Sequence, residues 1–394
     1  MKKSYRFIIV LLLFVVVLIG AFQKTAFAAK DVVTLGFLGP ITGSCAAEGS
    51  AARNAFLMAI DDANASGEYP YKINVIVVDD QSDPSVGAAG AQKIVADPTV
   101  VAATGHWNSG VAAATSPIFI ENEIPLLIWG AIREDLTSKE TYPWITRSAP
   151  TNVQENKPLV KAVIDDMGYK NIFMVSTTDS YGSANTEAFS KELESRGMKP
   201  VGLEEVQAET VDFNAIVAKI IKSGADAVYW GGTNTEGVYL KEQLYNAGAD
   251  VLFCGISGIK TDDFLIIGEK AAEGTLAVQP GIRLDSTEAG RKFVEEYNSK
   301  GFDVEINAFT PYAYEAALIL LQALKNCGDE PTPEKMRDAI AKGTFVGIMG
   351  TTTFDEIGQT TLVAANLMVI QDGKWMYYED SEYASGKRSF GGKK

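Results

Sequence analysis

The 394-residue sequence predicts an α/β fold: two Rossmann-like lobes, each on a parallel sheet, joined by a three-strand hinge with a ligand cleft between them. Three observations carry this. Short apolar runs alternate with stretches of helical length and spacing, the pattern of parallel βαβ units. The alternation stops at Pro150 and then starts afresh. The chain is also longer than one hydrophobic core usually supports.

The first 28 residues read as a secretory signal. Lys2, Lys3 and Arg6 form a basic start, residues 7–22 are almost unbroken apolar sequence, and Ala26-Phe27-Ala28 offers small residues for cleavage after Ala28. The apolar run is shorter than the ~20 residues that span a bilayer. The first cysteine, Cys45, lies well past the boundary, so no lipid acceptor stands there. The expected product is a soluble protein of the periplasm or extracellular space. Cleavage removes Lys2, Lys3, Arg6 and Lys24 and no acid, taking the formal charge from −15 to −19. A surface that acidic repels phosphate backbones, so nucleic acid is excluded as a partner.

In order, residues 31–39 form the first strand, followed by the turn 40–44. Ala51, Ala52, Ala55, Phe56, Ala59, Ile60 and Ala63 then recur at helical spacing. A second strand covers 71–78, and Pro84 starts the next helix after the turn 79–83. Residues 100–104 are a third strand. The segment from Gly105 to Thr137 follows, with a Gly-His-Trp-Asn-Ser turn, a helix over 110–121, an apolar run over 125–129 and the turn Gly130-Ala131. In doubly wound sheets ligands collect at the carboxyl ends of the strands, where these two turns would meet. Backbone N–H groups at the helix start suit an anionic group.

Beyond Pro150 the second lobe begins. Helices are expected over 153–167, up to 197, 212–222 and 235–247, with strands at 171–176, 227–232 and 250–255. The chain crosses back at 275–280, helices over 286–299 and 312–326 complete the first lobe, and a third crossing is expected at 349–353. Residues 362–371 and 373–375 read as a terminal hairpin. This gives one lobe of 29–148 plus 281–348, another of 149–280 plus 349–384, and a Gly-, Lys- and Ser-rich tail, 385–394, expected to be disordered.

Several segments in this order resemble the type I periplasmic binding proteins, specifically the leucine/isoleucine/valine-binding branch that serves ABC transporters. They are LGFLGPITGSCAAEG, VVDDQSDP, Gly105–Ser109, TTDSYGSAN, VYWGGTNTEG, DVLFCGISG, YAYEAALILLQAL and MGTTTFDEIGQ. The resemblance implies that Ser109 holds a ligand carboxylate with its hydroxyl and N–H, a charge-assisted contact. A plain helix cap is the alternative role. It also implies that the Gly130 carbonyl accepts from a ligand amine and that Tyr181 closes over the ligand. Trp107, Asn108 and Ala131 flank these positions in the two pocket turns.

Four positions depart from the amino-acid binders. Ile132 replaces a threonine, Ser257 a glutamate that neutralises the ammonium, Thr233 a tyrosine, and Glu48 a first-loop aromatic. A buried ammonium without an acid is costly. Either Glu48 supplies the charge, or the ligand is a carboxylate, amide or aromatic acid without an α-ammonium. Trp107, Trp129 and Trp230 lie where they suit a flat or cationic ligand or core packing, the latter fitting Trp230 better. Arg133 stands beside the pocket turn, able to pair a ligand carboxylate or its neighbours Glu134 and Asp135.

The expected function is capture of a small polar solute and delivery to a membrane permease, by a monomer without cofactor or metal. Cys45, Cys254 and Cys327 show no metal-ligand spacing and read as free thiols. Enzyme chemistry lacks support: there is one histidine, no zinc-protease motif, no P-loop and no G-x-S-x-G elbow. A soluble sensor that signals through a separate membrane receptor is the alternative function.

Overall fold

The computed structural model describes residues 32–392, so the expected export signal over 1–28 lies outside the described residues. In the first sheet, β1 (Val32–Gly39), β2 (Lys72–Asp79), β3 (Val100–Thr104), β4 (Leu126–Ile128) and β5 (Ile145–Arg147) run parallel. Their order is β2-β1-β3-β4-β5. The second sheet has a parallel core of β6 (Ile172–Thr177), β7 (Gly202–Val206), β8 (Ala227–Trp230), β9 (Leu252–Gly255) and β10 (Leu276–Pro280). A separate hairpin pairs β11 (Phe345–Gly347) with β12 (Gly350–Thr352). Strands β13 (Ala365–Gln371) and β14 (Lys374–Tyr377) then extend the second sheet antiparallel, giving the order β14-β13-β10-β9-β8-β6-β7.

Eleven α-helices among the described residues cover these sheets. They are α1 (Ala46–Ser66), α2 (Pro84–Val95), α3 (Ser109–Glu121), α4 (Asn152–Val160), α5 (Ser180–Glu194), α6 (Asn214–Ser223), α7 (Asn234–Asn246), α8 (Asp262–Gly268), α9 (Glu288–Ser299), α10 (Thr310–Cys327) and α11 (Pro333–Lys342). Local chemistry sets several starts. The Asp83 carboxylate accepts from the Ser85 and Val86 N–H groups ahead of α2, with Pro84 at the first helical position. Asp179 does the same for Tyr181 and Gly182 at α5. Thr151 and Gln154 form a reciprocal capping box at α4.

Parallel sheets need cover on both faces. On one side of the first sheet, Ala91, Ile94, Ala112 and Phe119 from α2 and α3 pack against Leu38, Ala103 and Leu126. The other side carries α1 and α10, with Phe56, Ile60, Ile319 and Leu320 buried against Leu35 and Phe37. The second sheet is enclosed likewise by Val217, Ile220, Leu240 and Phe264 on one face and Leu159 and Phe189 on the other.

Three crossings join the lobes. Gly281 N donates to Ala364 O at 2.8 Å, and Asn366 Nδ2 to Gly281 O at 2.7 Å. Arg147 N donates to Gly358 O at 2.8 Å, and Thr360 N to Arg147 O at 2.9 Å. The third crossing therefore runs through residues 358–364, not 349–353. Thr351 and Thr352 instead pair with Val346 and Phe345 in the β11–β12 hairpin.

The tail also differs from expectation. Residues 385–392 pack on the second lobe. The Phe390 ring stacks on Tyr383 at 4.4 Å, Tyr169 Oη donates to Gly391 O at 2.8 Å, and Arg388 pairs with Glu273, Asp372 and Glu382. One arginine and one aromatic offset the loop-forming composition around them.

Candidate functional site

A cavity of about 460 Å³ lies between the carboxyl ends of the two sheets, a size suited to a small ligand. In each sheet the strand order reverses between the first and third strands of the lobe, β1 and β3, or β6 and β8. The crevice at such a switch point is where open α/β sheets take ligands. Cys45, Trp107, Asn108, Ser109, Gly130 and Ile132 form the first-lobe wall, with Phe309 at the start of α10. Ser180, Tyr181, Thr233, Glu236, Ser257 and Gly258 form the second-lobe wall.

The turn after β3 is held from beneath by His106. Its Nδ1 lies 2.9 Å from Asp80 Oδ2 and its Nε2 2.8 Å from the Thr115 hydroxyl, all three fully buried. Both ring nitrogens are occupied, so His106 anchors the loop and is not paired with Ser109. Ser109 opens α3, and its hydroxyl accepts from Arg133 N at 3.3 Å. Asn108 caps that helix without a side-chain bond, and its Oδ1 is buried without a partner. Gly130 packs against this turn. A Cβ there would lie 3.0 Å from His106 O and 3.3 Å from Trp107 Cα, so any side chain would push the two pocket turns a few tenths of an ångström apart.

Trp107 meets Phe309 edge to face at 5.0 Å between ring centres. Trp129 and Trp230 do not reach the cavity. Trp129 is buried against Phe37, with its Nε1 donating to Leu38 O, and Trp230 is buried against Phe213, with its Nε1 donating to Thr233 O. Both are core residues.

On the second lobe, Ser257 N donates to Glu155 Oε2 at 3.1 Å. Burial pushes the Glu155 carboxyl up to about 7, from an ordinary 4.5. The hydroxyls of Ser257 and Tyr181 are buried without hydrogen-bond partners. Burial likewise drives the Tyr181 phenol well above its ordinary range. A Cβ on Gly258 would collide with Tyr181 Oη, so the tyrosine occupies space that glycine leaves.

Eight of the ten expected site residues come together here: Trp107, Asn108, Ser109, Gly130, Ile132, Tyr181, Thr233 and Ser257. Glu48 and Ala131 do not line the cavity. Glu48 is buried in the first turn of α1 beyond Cys45, with Oε2 unpartnered and its carboxyl held up at about 7 by burial. Ala131 is fully buried, and its N–H donates to His106 O. The sequence pattern did not point to Phe309, Glu209 or Glu236. Glu236 carried a signal, as a first-turn acid beside Thr233, but Glu209 follows an edge strand and Phe309 a patternless connection.

Arg133 reaches across the mouth. Its guanidinium contacts Asp135 on its own lobe and the Ser180 hydroxyl on the other. The lobes are thus in direct contact around the cavity. The free thiols are Cys45 on the wall, Cys254 inside β9 and Cys327 at the end of α10. Among the described residues no group of three His, Cys, Asp or Glu side chains could hold a metal ion.

Two parallel sheets closing loop-lined walls on one cavity define a two-lobed binding protein. The chain belongs to the periplasmic binding protein family, whose model matches residues 32–374. It is 30% identical over 353 residues to the Leu/Ile/Val-binding protein homolog 2 of Brucella abortus (strain 2308), covering 88% of this chain and 93% of that protein. The branched-chain amino acid transporter substrate binding protein of Streptococcus pneumoniae, solved in complex with isoleucine, superposes with a TM-score of 0.80. That match has 21% identity and covers 87% of this chain and 97% of the other. A solute binding protein of an ABC transporter from R. palustris, solved with benzoate, gives 0.79 at 20% identity, covering 88% and 95%. At these identities the structural likeness speaks for the fold alone. The family and these neighbours are binding proteins, not enzymes.

Proposed function

We propose that this chain is an exported solute-binding protein of an ABC transporter. It captures a small polar ligand of the amino acid, carboxylate or amide class by hinged closure of its lobes, and delivers it to a membrane permease. The observation that carries this reading is the cavity walled by both lobes at paired switch points, with Arg133 of one lobe on Ser180 of the other. Such a wall is complete only when the lobes are together, so a ligand held by both favours the closed state over the open one. Ser109, the Gly130 carbonyl and Tyr181 are the proposed direct contacts. Trp107, Asn108, Ile132, Thr233 and Ser257 shape the walls, and Glu48 and Ala131 act from one layer behind. The protein works as a monomer in the periplasm or extracellular space.

The test is a thermal-shift screen of residues 29–394 against amino acids, quaternary amines, aromatic acids and dicarboxylates, followed by small-angle scattering with any hit. A ligand bound only by the folded state raises the melting temperature with concentration. A hit that also lowers the radius of gyration supports capture by closure. No shift with any class, or a shift without compaction, counts against it.

A further inference from the structure

One end of the first-lobe wall gathers polar atoms that no protein group satisfies. Ser44, Cys45, Ser82 and Asn108 line this end of the cavity. The Cys45 thiol lies among the side chains of Ser44, Ser82 and Asn108, and of these only the Ser44 hydroxyl, at 3.9 Å, is bonded to it. Ser82 Oγ and Asn108 Oδ1 are buried without a hydrogen-bond partner among the described residues, and so is Glu48 Oε2 one layer behind the thiol. A thiol is a single weak donor and cannot serve all of these oxygens. Any group that displaces water from such atoms must replace its hydrogen bonds or lose affinity.

These side chains are held there against local preference. Gln81 and Ser82 both take left-handed backbone, with φ of 52° and 60°, a conformation that non-glycine residues keep only where the surroundings enforce it. The Asp79 and Asp80 carboxylates enforce it, accepting from Gln81 N and Ser82 N at 3.0 Å each. The other Asp80 oxygen bonds His106 at 2.9 Å, and Asn108 follows in the same turn as His106. One buried pair, Asp80 and His106, therefore places both Ser82 and Asn108. Asn108 stands at the N-cap of α3 but makes no side-chain cap bond, although asparagine is among the best residues for that role. Its amide is turned to Cys45 instead.

We infer that this end reads a neutral hydrogen-bonding group of the ligand, a hydroxyl or a carboxamide carried in addition to the carboxylate that Ser109 takes, and that Asn108 and Ser82 recognise it. The inference rests on the solute-binding reading and deepens it by naming a specificity of the same cavity. A hydroxyl or a carboxamide both donates and accepts, so it suits Ser82 and suits Asn108 whichever way that amide is turned. Leucine, isoleucine and valine, the ligands named for the relatives, have no such group on their side chains. An aliphatic chain of the same shape would leave both oxygens unmet. The groups at this end are neutral. Burial, with Glu48 beside it, pushes the Cys45 thiol up to about 11, and Glu48 lies behind it with its own carboxyl held up at about 7 by burial. Among the described residues no Lys, Arg or His lines the cavity, so a second carboxylate finds no counter-charge here.

Discrimination by such a wall is asymmetric. An apolar pocket rejects an added hydroxyl only weakly, whereas a site built to hydrogen-bond that hydroxyl rejects the analogue lacking it far more strongly, because its own polar atoms stay unpaired. Two orphan oxygens should therefore favour the polar member of an isosteric pair by about tenfold or more.

The experiment is calorimetric titration of the chain with pairs equal in charge and near in shape: threonine against valine, asparagine against leucine, and 4-hydroxybenzoate against benzoate. The expected result is that a pair which binds does so about tenfold or more tighter through its polar member. Asn108→Leu, close in volume, should abolish or invert that preference. Ser82→Gly, which suits the left-handed backbone, should reduce it severalfold. Neither change removes a helix cap, and a ligand-free melting temperature close to that of the unmodified chain shows that each variant is folded. Equal affinities within a pair, tighter binding of the apolar member, or an unchanged preference in Asn108→Leu overturns the polar end while leaving solute capture standing. Binding by none of the probes overturns both.

Discussion

Arg147 and Gln359, 212 residues apart in sequence, lock two of the three lobe crossings together. Arg147 Nε donates to Gln359 Oε1 at 2.6 Å, and Gln359 Nε2 donates to Ala149 O at 2.8 Å. The guanidinium also donates to the carbonyls of Ala131, Arg133 and Glu134. One buried cation thus ties the hinge to the pocket turn after β4. Burial pushes its pKa down to about 9, which leaves it charged at neutral pH.

Replacing that side chain should be costly. Arg147→Met removes the donors but leaves Gln359 and three carbonyls buried without them, a loss on the order of 3 kcal/mol. Urea unfolding should show the midpoint falling accordingly. An unchanged midpoint would mean that water replaces the guanidinium.

Acidity should stabilise the ligand-free protein. Glu48, Glu155 and Glu315 are all buried, and burial raises each carboxyl from 4.5 to about 7. The folded state therefore holds protons that the unfolded chain has released. The resulting stability is fully present below about pH 4.5 and lost as pH rises through 7, amounting to about 3 kcal/mol in order of magnitude for each carboxyl. Melting temperatures at pH 5 and pH 8 should differ in that direction. Glu155→Gln should melt higher than the unmodified chain at pH 8 only. A flat profile between those pH values contradicts the assignment.

Gly130→Val tests the approach of the two pocket turns. The added Cβ meets backbone at His106 and Trp107, so the turns must part and Trp107 must move. Ligand affinity should drop about tenfold or more, equivalent to roughly 1.4 kcal/mol. Affinity equal to the unmodified chain by calorimetry would remove this turn from the binding surface.

The Arg133–Ser180 contact exists only when the lobes meet. Arg133→Ala should therefore act on release, raising the dissociation rate severalfold while changing association little. Stopped-flow tryptophan fluorescence separates the two rates. A change confined to association would assign Arg133 to attracting the ligand instead.

Much of this was legible in the chain. Strands such as Val100–Thr104 and Ile172–Thr177 are fully buried, and buried strands write themselves as apolar runs. Gly202–Val206 is an edge strand with an alternating, half-exposed pattern, so its GLEEV sequence gave no comparable signal. Helix α8, with seven residues, is too short to show a period, and α11 carries few apolar positions. The pocket turns were readable because they follow strong strands. The Glu155–Ser257 bond was not, since it spans 102 residues and depends on how α4 settles against β10 and β13. Glu48 shows the reverse error: proximity in sequence to a ligand loop did not bring its side chain to the wall.

The chain's last stretch bears on how the protein is handled. Gly391 and Gly392 lie so close to the backbone of Val251 and Asp226 that neither has room for a side chain. An affinity handle at this end would follow closely on backbone wedged against Val251 and Asp226. Proteolytic nicking before Ser385 would strip Glu273, Asp372 and Glu382 of their shared arginine and open the flank of the second sheet. A chain trimmed to remove an idle-looking end would carry three uncompensated acids into every later measurement.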